Sequence, residues 1–239
     1  MSKDARRSLI VNADDFGLSD GINEGIAKAH EHGIVTSASL MVRWPAARQA
    51  AAYGRAHPDL SLGLHIDLRE SAYRMDSWEW VPVYEFDVHD SKAVEKEIKR
   101  QLDVFRRFVG DDPTHVDSHQ HVHHYEPVHS LVRELAEELQ LPLRHYTPSV
   151  QYSGDFYGQT PKGTPYHEAI TVEALISILA DLPPGLTELG CHPGDASDVD
   201  TSYRAERALE VEVLCNARIR ETLDAEQIEL RSFHGLGGR

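Results

Sequence analysis

Cysteine, basic residues and long apolar stretches are all in short supply in this sequence. The 239 residues include only two cysteines, Cys191 and Cys215, and no Cys-x-x-Cys pair, so a disulfide framework is not expected. No apolar run approaches the ~18–20 residues that a membrane-spanning helix needs. The three apolar residues at 9–11 are too few for the hydrophobic region of a signal peptide. We therefore expect a soluble cytoplasmic protein.

The charge balance is strongly acidic. Lysine and arginine number 24 against 39 aspartates and glutamates, which gives a formal net charge of −15 at pH 7. This balance argues against nucleic acid or anionic membranes as partners that bind through the overall field. The hydrophobic content of 41% can form a sizeable core. No internal repeat or low-complexity linker divides the chain, so we expect a single domain over residues 1–239.

Short aliphatic runs alternate with amphipathic helical stretches along the chain. Strands are predicted at residues 8–13, 37–42, 61–68, 143–146, 187–191 and 229–232, with a further strand in the histidine-rich stretch after Pro113. Helical patterns lie between them, and residues 204–223 read as one helix. Such β-α alternation predicts an α/β fold with a parallel sheet of about seven strands, closed as a barrel or doubly wound.

Two long connections interrupt this alternation, at residues 69–90 and 147–167. Both are predicted to be irregular, and loops of this length inside a compact domain are often functional. The first contains Trp78, Trp80 and Tyr84. These aromatic side chains are consistent either with a platform for a sugar ring or with a cover over the core.

The most informative stretch is residues 114–124, which holds five of the fifteen histidines and one carboxylate. If this stretch is extended, alternate side chains share one polar face. That face would contain His115, Asp117, His119, His121 and His123. Imidazoles with a nearby carboxylate suit a divalent metal ion. The alternative is a solvated loop or a site of adventitious metal binding.

Further polar residues fall where predicted strands end. Asp14 and Asp15 follow the first strand, His65 lies near the end of the third, and His119 and His192 follow later strands. In a (β/α) barrel these strand ends meet around one mouth, where active sites lie. Taken singly, the aspartates could instead cap a helix, and His65 could be a hydrogen-bonded core residue.

The chain resembles the YdjC-like carbohydrate deacetylases. The resemblance spans nearly the whole sequence and is most specific in Asn-Ala-Asp-Asp-Phe-Gly at 12–17 and Asp-Ser-His-Gln-His-Val-His at 117–123. Weaker matches are Gly-Leu-His at 63–65, Leu-Arg at 143–144, Phe-Tyr-Gly at 156–158 and Glu-Leu-Gly-Cys-His-Pro-Gly at 188–194. The fold that this resemblance implies is a distorted TIM-like (β/α) barrel.

The resemblance also implies a set of site residues. It implies that Asp15, His65 and His119 bind a divalent metal, that Asp14 is the general base, and that His192 is a candidate general acid. His121 and His123 are expected to lie close to the metal and could compete for the acid role. Magnesium is the ion that the family implies, whereas two imidazoles and one carboxylate are better matched to zinc or another transition metal.

These residue types suit the hydrolysis of an amide by metal-activated water. Arg144 could offset developing oxyanion charge or grip the substrate, or it could form a surface salt bridge. The leading hypothesis is removal of acetyl groups from N-acetylated sugars such as chitooligosaccharides. The alternatives are hydrolysis of another amide or an ester, and a non-catalytic module that binds sugar or senses metal. By analogy with the family, the chain is expected to form a homo-oligomer.

Overall fold

The computed structural model describes residues 6–74, 76–77 and 79–237. Its central sheet is organised on β1 (Arg7–Phe16), which is buried from Leu9 onward. On one side β1 pairs with β8 (Gly185–Cys191). On the other it pairs with β9 (Ile228–Leu230) along its first residues and with β2 (Ser37–Leu40) along its last. β1 is apolar from Leu9 to Val11 because a central parallel strand is covered on both faces.

Three further strands complete the sheet. β3 (Ser61–Ile66) pairs with β2, β6 (Val116–Ser118) pairs with β3, and β7 (Val150–Ser153) pairs with β8. All of these pairings are parallel, and the sheet has seven strands in the part of the chain that the structure describes. The sheet and its helices form the open, distorted barrel of the expected α/β class.

The helices follow the strands as the apolar periodicity predicts. They are α1 (Asp20–Glu31), α2 (Ala47–Ala56), α3 (Ser91–Val109), α4 (Val128–Leu139), α5 (Val172–Ala180), α6 (Ala205–Leu214) and α7 (Ala217–Ala225). Local capping explains several boundaries: the Ser19 hydroxyl accepts from the Ile22 amide to begin α1. The single helix expected over residues 204–223 is divided, because the Asn216 side chain caps a new helix by accepting from the Arg218 amide.

The strand predicted at residues 143–146 is absent, and the neighbour of β8 comes instead from the predicted loop. Leu143 makes one parallel bridge with Val116. Its carbonyl then accepts from the amides of Tyr146 and Thr147, and its amide donates to the Thr147 hydroxyl. These bonds use both backbone groups of Leu143 in a turn, and the pairing with β6 ends where the Arg144 amide donates to the Val116 carbonyl. The expectation of a structureless segment at 147–167 is therefore wrong where it covers β7.

Residues 69–90 are also more regular than predicted. They form an antiparallel hairpin of β4 (Arg69–Arg74) and β5 (Glu79–Glu85). Tyr84 anchors it, since its hydroxyl donates to the Asp67 carbonyl at 3.1 Å and its ring lies under the Arg43 guanidinium. Trp78 and the side chain of Trp80 lie outside the described residues.

The histidine-rich stretch is extended only over its first part. After β6 the chain turns into a 3-10 segment, His119–His124, in which Gln120 and His121 both have left-handed backbone angles. The Ser118 hydroxyl accepts from the His123 amide and holds this turn. The prediction of one shared polar face from His115 to His123 is therefore wrong beyond Asp117.

Across the described ranges, every helix is too short or too polar to cross a lipid bilayer.

Helix α1 approaches the loop after β8 closely at Gly25. A methyl group on Gly25 would collide with the backbone of Gly194, two residues from His192. Gly25→Ala should therefore lower the free energy of unfolding by about 1–3 kcal/mol, the usual cost of overpacking. Urea denaturation measures this difference, with the exposed Glu24→Ala on the same helix as control. Equal stability of the two variants would contradict the close approach.

Candidate metal centre and active site

Two consecutive carboxylates, Asp14 and Asp15, enter the same cavity from the end of β1. Neighbouring side chains in a regular strand point to opposite faces. Here the alternation is broken because Asp15 has a left-handed φ of 66°, and the register with β2 shifts between Ala13 and Phe16. This irregularity allows both acids to serve one site. Strained backbone of this kind is common at functional positions.

Asp15, His65 and His119 form a compact cluster in which candidate ligand atoms lie within 4.8 Å of one another. His119 Nδ1 is 2.9 Å from Asp15 Oδ1, and His65 Nε2 is 3.4 Å from the same oxygen. The three residues come from the ends of β1 and β3 and from the turn after β6. The structure thus brings together the three residues predicted as metal ligands.

Carboxylates hold the far side of both imidazoles. Asp117 Oδ1 lies 2.7 Å from His65 Nδ1, and Glu70 Oε2 lies 2.8 Å from His119 Nε2. In metal sites such outer carboxylates fix the tautomer and orientation of ligating histidines. The donor set of two imidazole nitrogens and one carboxylate oxygen fits a divalent transition metal better than magnesium.

The surrounding charge also favours a cation. Burial lowers the pKa of His65, but the negative field of Asp117 and Asp14 outweighs burial and raises that pKa to about 10. Buried carboxylates are concentrated around the site, and Arg144 and Arg207 pair with four of them: Asp14, Asp117 and Glu188 with Arg144, and Asp15 with Arg207. A divalent cation would neutralise part of this excess negative charge.

A second set of potential ligands, Asp14, His65 and Asp117, overlaps the first. This second set is less suited to a cation because the Arg144 guanidinium already pairs with the carboxylates of Asp14 and Asp117. The Arg144 guanidinium reaches Asp14 through two bonds of 2.7 Å and Asp117 at 2.7 Å. Like charges repel, so this guanidinium disfavours an ion between the same two acids.

Arg144 is buried beneath Asp14 and does not line the cavity. Besides Asp14 and Asp117 it binds Glu188, with Nε donating to Oε1 at 2.7 Å. The surface salt bridge considered from the sequence is therefore wrong. Burial would raise the pKa of Asp14, but the bidentate Arg144 holds it below its usual value, so Asp14 is ionised. Burial raises the pKa of Glu188 to about 7 despite the same guanidinium.

His192 follows β8 and faces Asp14 across the cavity. Its Nε2 lies 3.8 Å from Asp14 Oδ2, and its backbone amide donates to the buried carboxylate of Glu210. Burial lowers the pKa of His192 to about 4, so the ring is neutral near pH 7. Tyr157 and Tyr203 contact the His192 ring in T-shaped geometry, with ring centroids 5.4 and 5.6 Å away.

The two competitors for the acid role are placed differently. His121 lines the cavity, whereas His123 is fully buried and is absent from the cavity wall. His123 Nδ1 is instead 2.5 Å from the Ser118 hydroxyl. The cavity has a volume of about 610 Å³. Aromatic side chains form much of its wall: Tyr152, Phe156, Tyr157 and Tyr203.

Several residues at this site were not predicted from the sequence. Arg207 binds Asp15 Oδ2 at 2.5 Å, and the Tyr203 hydroxyl donates to Glu210 at 2.5 Å. Tyr203, Arg207, Glu210 and Leu214 are spaced by four, three and four residues, so they share one face of α6 and its approach. Polar residues on a helix face that points into the protein were the feature of the sequence that could have indicated a role at the site. Glu70 gave no such signal, because its hairpin was not predicted.

Comparison with known proteins agrees with this geometry. The family model described as YdjC-like protein matches residues 8–225. A carbohydrate deacetylase from Geobacillus stearothermophilus is 37% identical over 244 residues, covering 93% of this chain and 94% of that protein. A chitooligosaccharide deacetylase from Serratia marcescens is 32% identical over 251 residues, covering 95% and 98%.

A solved structure shows the same fold. It is a protein from Enterococcus faecalis V583 named as a candidate cellobiose-phosphate cleavage protein. The two folds superpose with a TM-score of 0.77 at 24% sequence identity, over 98% of this chain and all of the other. With a family match over most of its length and relatives above 30% identity, the chain belongs to the YdjC-like family.

Proposed function

We propose that the protein is a metal-dependent carbohydrate deacetylase that hydrolyses the N-acetyl amide bond of acetylated sugars. The observation that carries this proposal is the convergence of Asp14, Asp15, His65, His119 and His192 on one cavity. The relatives named carbohydrate deacetylase and chitooligosaccharide deacetylase support the same chemistry and substrate class.

Asp15, His65 and His119 would hold the cation. A divalent ion there would polarise the acetyl carbonyl and lower the pKa of a bound water from ~15.7 towards ~7. The nitrogen-rich donor set supports zinc or another transition metal as the working ion, although the family resemblance implies magnesium. Asp117 and Glu70 keep the ligand imidazoles in place.

Asp14 and Arg144 act together in the transfer of a proton from the attacking water. Asp14 accepts a proton from the attacking water because its carboxylate is ionised and faces the cavity. Arg144 is a positioning residue, since it reaches the substrate only through Asp14. Its two bonds fix the carboxylate plane and keep it charged between turnovers.

His192 delivers a proton to the departing amine. The ring is neutral at rest, so it must first receive the proton that Asp14 has taken from water. The gap of 3.8 Å between Asp14 Oδ2 and His192 Nε2 is about 1 Å longer than a hydrogen bond, and a small ring movement closes it. The proton then passes to the amine nitrogen as the carbon–nitrogen bond breaks, leaving acetate and the free amino sugar.

The cavity suits a sugar. Its volume of about 610 Å³ and its aromatic wall match a small, ring-shaped substrate with many hydroxyl groups. Tyr157 and Tyr203 stack on each other at 4.7 Å beside His192, where the sugar bearing the amine would lie. A cytoplasmic location, self-association and the lack of nucleic-acid or membrane partners stay predictions from the sequence.

Substitutions at the adjacent residues Asp14 and Asp15 distinguish the general base from the metal ligand. Asp15→Asn should lose bound metal together with acetate release from N,N'-diacetylchitobiose. Asp14→Asn should keep the metal and lose on the order of 10²–10⁴ in kcat. Elemental analysis and an acetate assay, with a chelated wild-type control, measure both effects. Retained turnover in Asp14→Asn would remove it from the base role. No acetate from any acetylated sugar would favour hydrolysis of another amide or an ester.

The role of His192 can be tested through the leaving group. His192→Gln should reduce acetate release from the chitobiose substrate by on the order of 10²–10⁴, because an amine cannot leave without a proton. The same variant should be much less impaired on 4-nitrophenyl acetate, whose phenolate leaves unprotonated. His121→Gln is the matched control and should show equal, small effects on both substrates. The reverse pattern would assign the acid role to His121.

A further inference from the structure

Four histidines form a second cluster beside the cavity. His121, His123 and His124 belong to the 3-10 segment after β6, and His145 belongs to the turn after Leu143. Their candidate ligand atoms lie within 4.8 Å of one another. Their ring centroids are separated by 4.5 Å for His124 and His145 and by 6.0 Å for His123 and His145. The proposed reaction uses none of these four rings.

Two nitrogen atoms in this cluster are buried without a hydrogen-bond partner. They are His121 Nδ1 and His123 Nε2, and His123 has no exposed surface at all. Buried polar atoms are nearly always satisfied in folded proteins. An unsatisfied imidazole nitrogen next to three other imidazoles therefore points to a ligand that it would bind.

Two rings are held in the orientation that metal binding requires. His123 Nδ1 contacts the Ser118 hydroxyl at 2.5 Å, and His124 Nδ1 contacts the Tyr146 hydroxyl at 3.0 Å. With Nδ1 engaged, Nε2 is the free donor on each ring. Partners of this kind fix the tautomer of metal-bound histidine in known sites.

The backbone also concentrates the rings on one side. His121 and His145 both have left-handed φ angles, of 51° and 68°. Such angles are uncommon for residues other than glycine and are retained mainly where the surroundings require them. Here they allow three histidines within four positions to meet a fourth from a separate turn.

We infer that His121, His123, His124 and His145 form a second metal site, selective for an imidazole-binding transition metal such as zinc or copper. Four nitrogen donors and no carboxylate give a site unsuited to magnesium or calcium, which require oxygen ligands. His124 and His145 are exposed, so an ion can enter from solvent. His121 also lines the catalytic cavity, so the second site lies against the cavity wall.

Cobalt(II) provides a probe with a spectroscopic signature. The full chain should bind two equivalents of cobalt by equilibrium dialysis and elemental analysis. The double variant His124→Gln/His145→Gln should bind one, with at least a 100-fold loss of affinity for the other. The visible absorption of this double variant should lack the bands of the cobalt ion bound by four histidines. Asp15→Asn should instead lose the cobalt ion of the catalytic site and keep those bands.

The control is a second double variant, His89→Gln/His234→Gln, which removes two exposed histidines outside the cluster. It should bind two equivalents. His124 and His145 do not line the catalytic cavity, so acetate release by their variant, loaded with one equivalent, should stay within about twofold of wild type. Binding of as many equivalents by the His124/His145 variant as by the wild type, or loss of all bound cobalt in Asp15→Asn, would overturn the inference. Circular dichroism of each variant verifies that the comparison is between folded proteins.

Discussion

The balance of charge on two neighbouring buried carboxylates determines the rest of this site. Asp14 is 3% exposed and Asp15 is 1% exposed, and neither could remain ionised without a cationic partner. The protein gives them separate partners: Asp14 binds Arg144, whereas Asp15 faces Arg207 and two imidazoles. This separation assigns different chemistry to identical side chains. In the proposed reaction the acid held by Arg144 would accept a proton, and the acid surrounded by imidazoles would bind the cation.

The sheet is what makes that separation possible. β1 is flanked by three parallel neighbours, of which β2 and β8 pair with it on either side up to Ala13, while Asp15 beyond adopts an unfavourable backbone angle. The two imidazoles beside Asp15, those of His65 and His119, come from the ends of β3 and β6, because strand ends meet at one mouth in α/β barrels. Arg144 enters from a turn that replaces a strand, and Arg207 enters from α6, so the charge balance depends on elements remote in sequence. The same turn holds His145 and so connects the catalytic charges with the second histidine cluster.

Sequence reasoning succeeded where local pattern determines structure. The strands that deliver Asp14 and His65 are apolar runs with polar ends, and the helices have regular apolar periodicity. It failed where tertiary contacts override local pattern. Arg144 lies in a short aliphatic run that resembles a strand, yet backbone and Thr147 bonds close it into a turn. His121 was predicted on an extended polar face, but the chain turns there because the Ser118 hydroxyl accepts a hydrogen bond from the His123 amide. Glu70 reaches the site only through the folded hairpin, which no spacing in the sequence reveals. The helical spacing of Arg207 indicates which helix face it lies on, but not that it meets Asp15.

In the proposed site Asp15 binds the ion while Asp14 remains paired with Arg144. A crystal structure of the metal-loaded protein, with anomalous scattering recorded at the absorption edge of the bound metal, tests this assignment. We expect an ion in contact with Asp15, His65 and His119, with Asp14 still paired to Arg144 through both oxygens. An ion bound by Asp14 and Asp117, with Arg144 displaced, would contradict it.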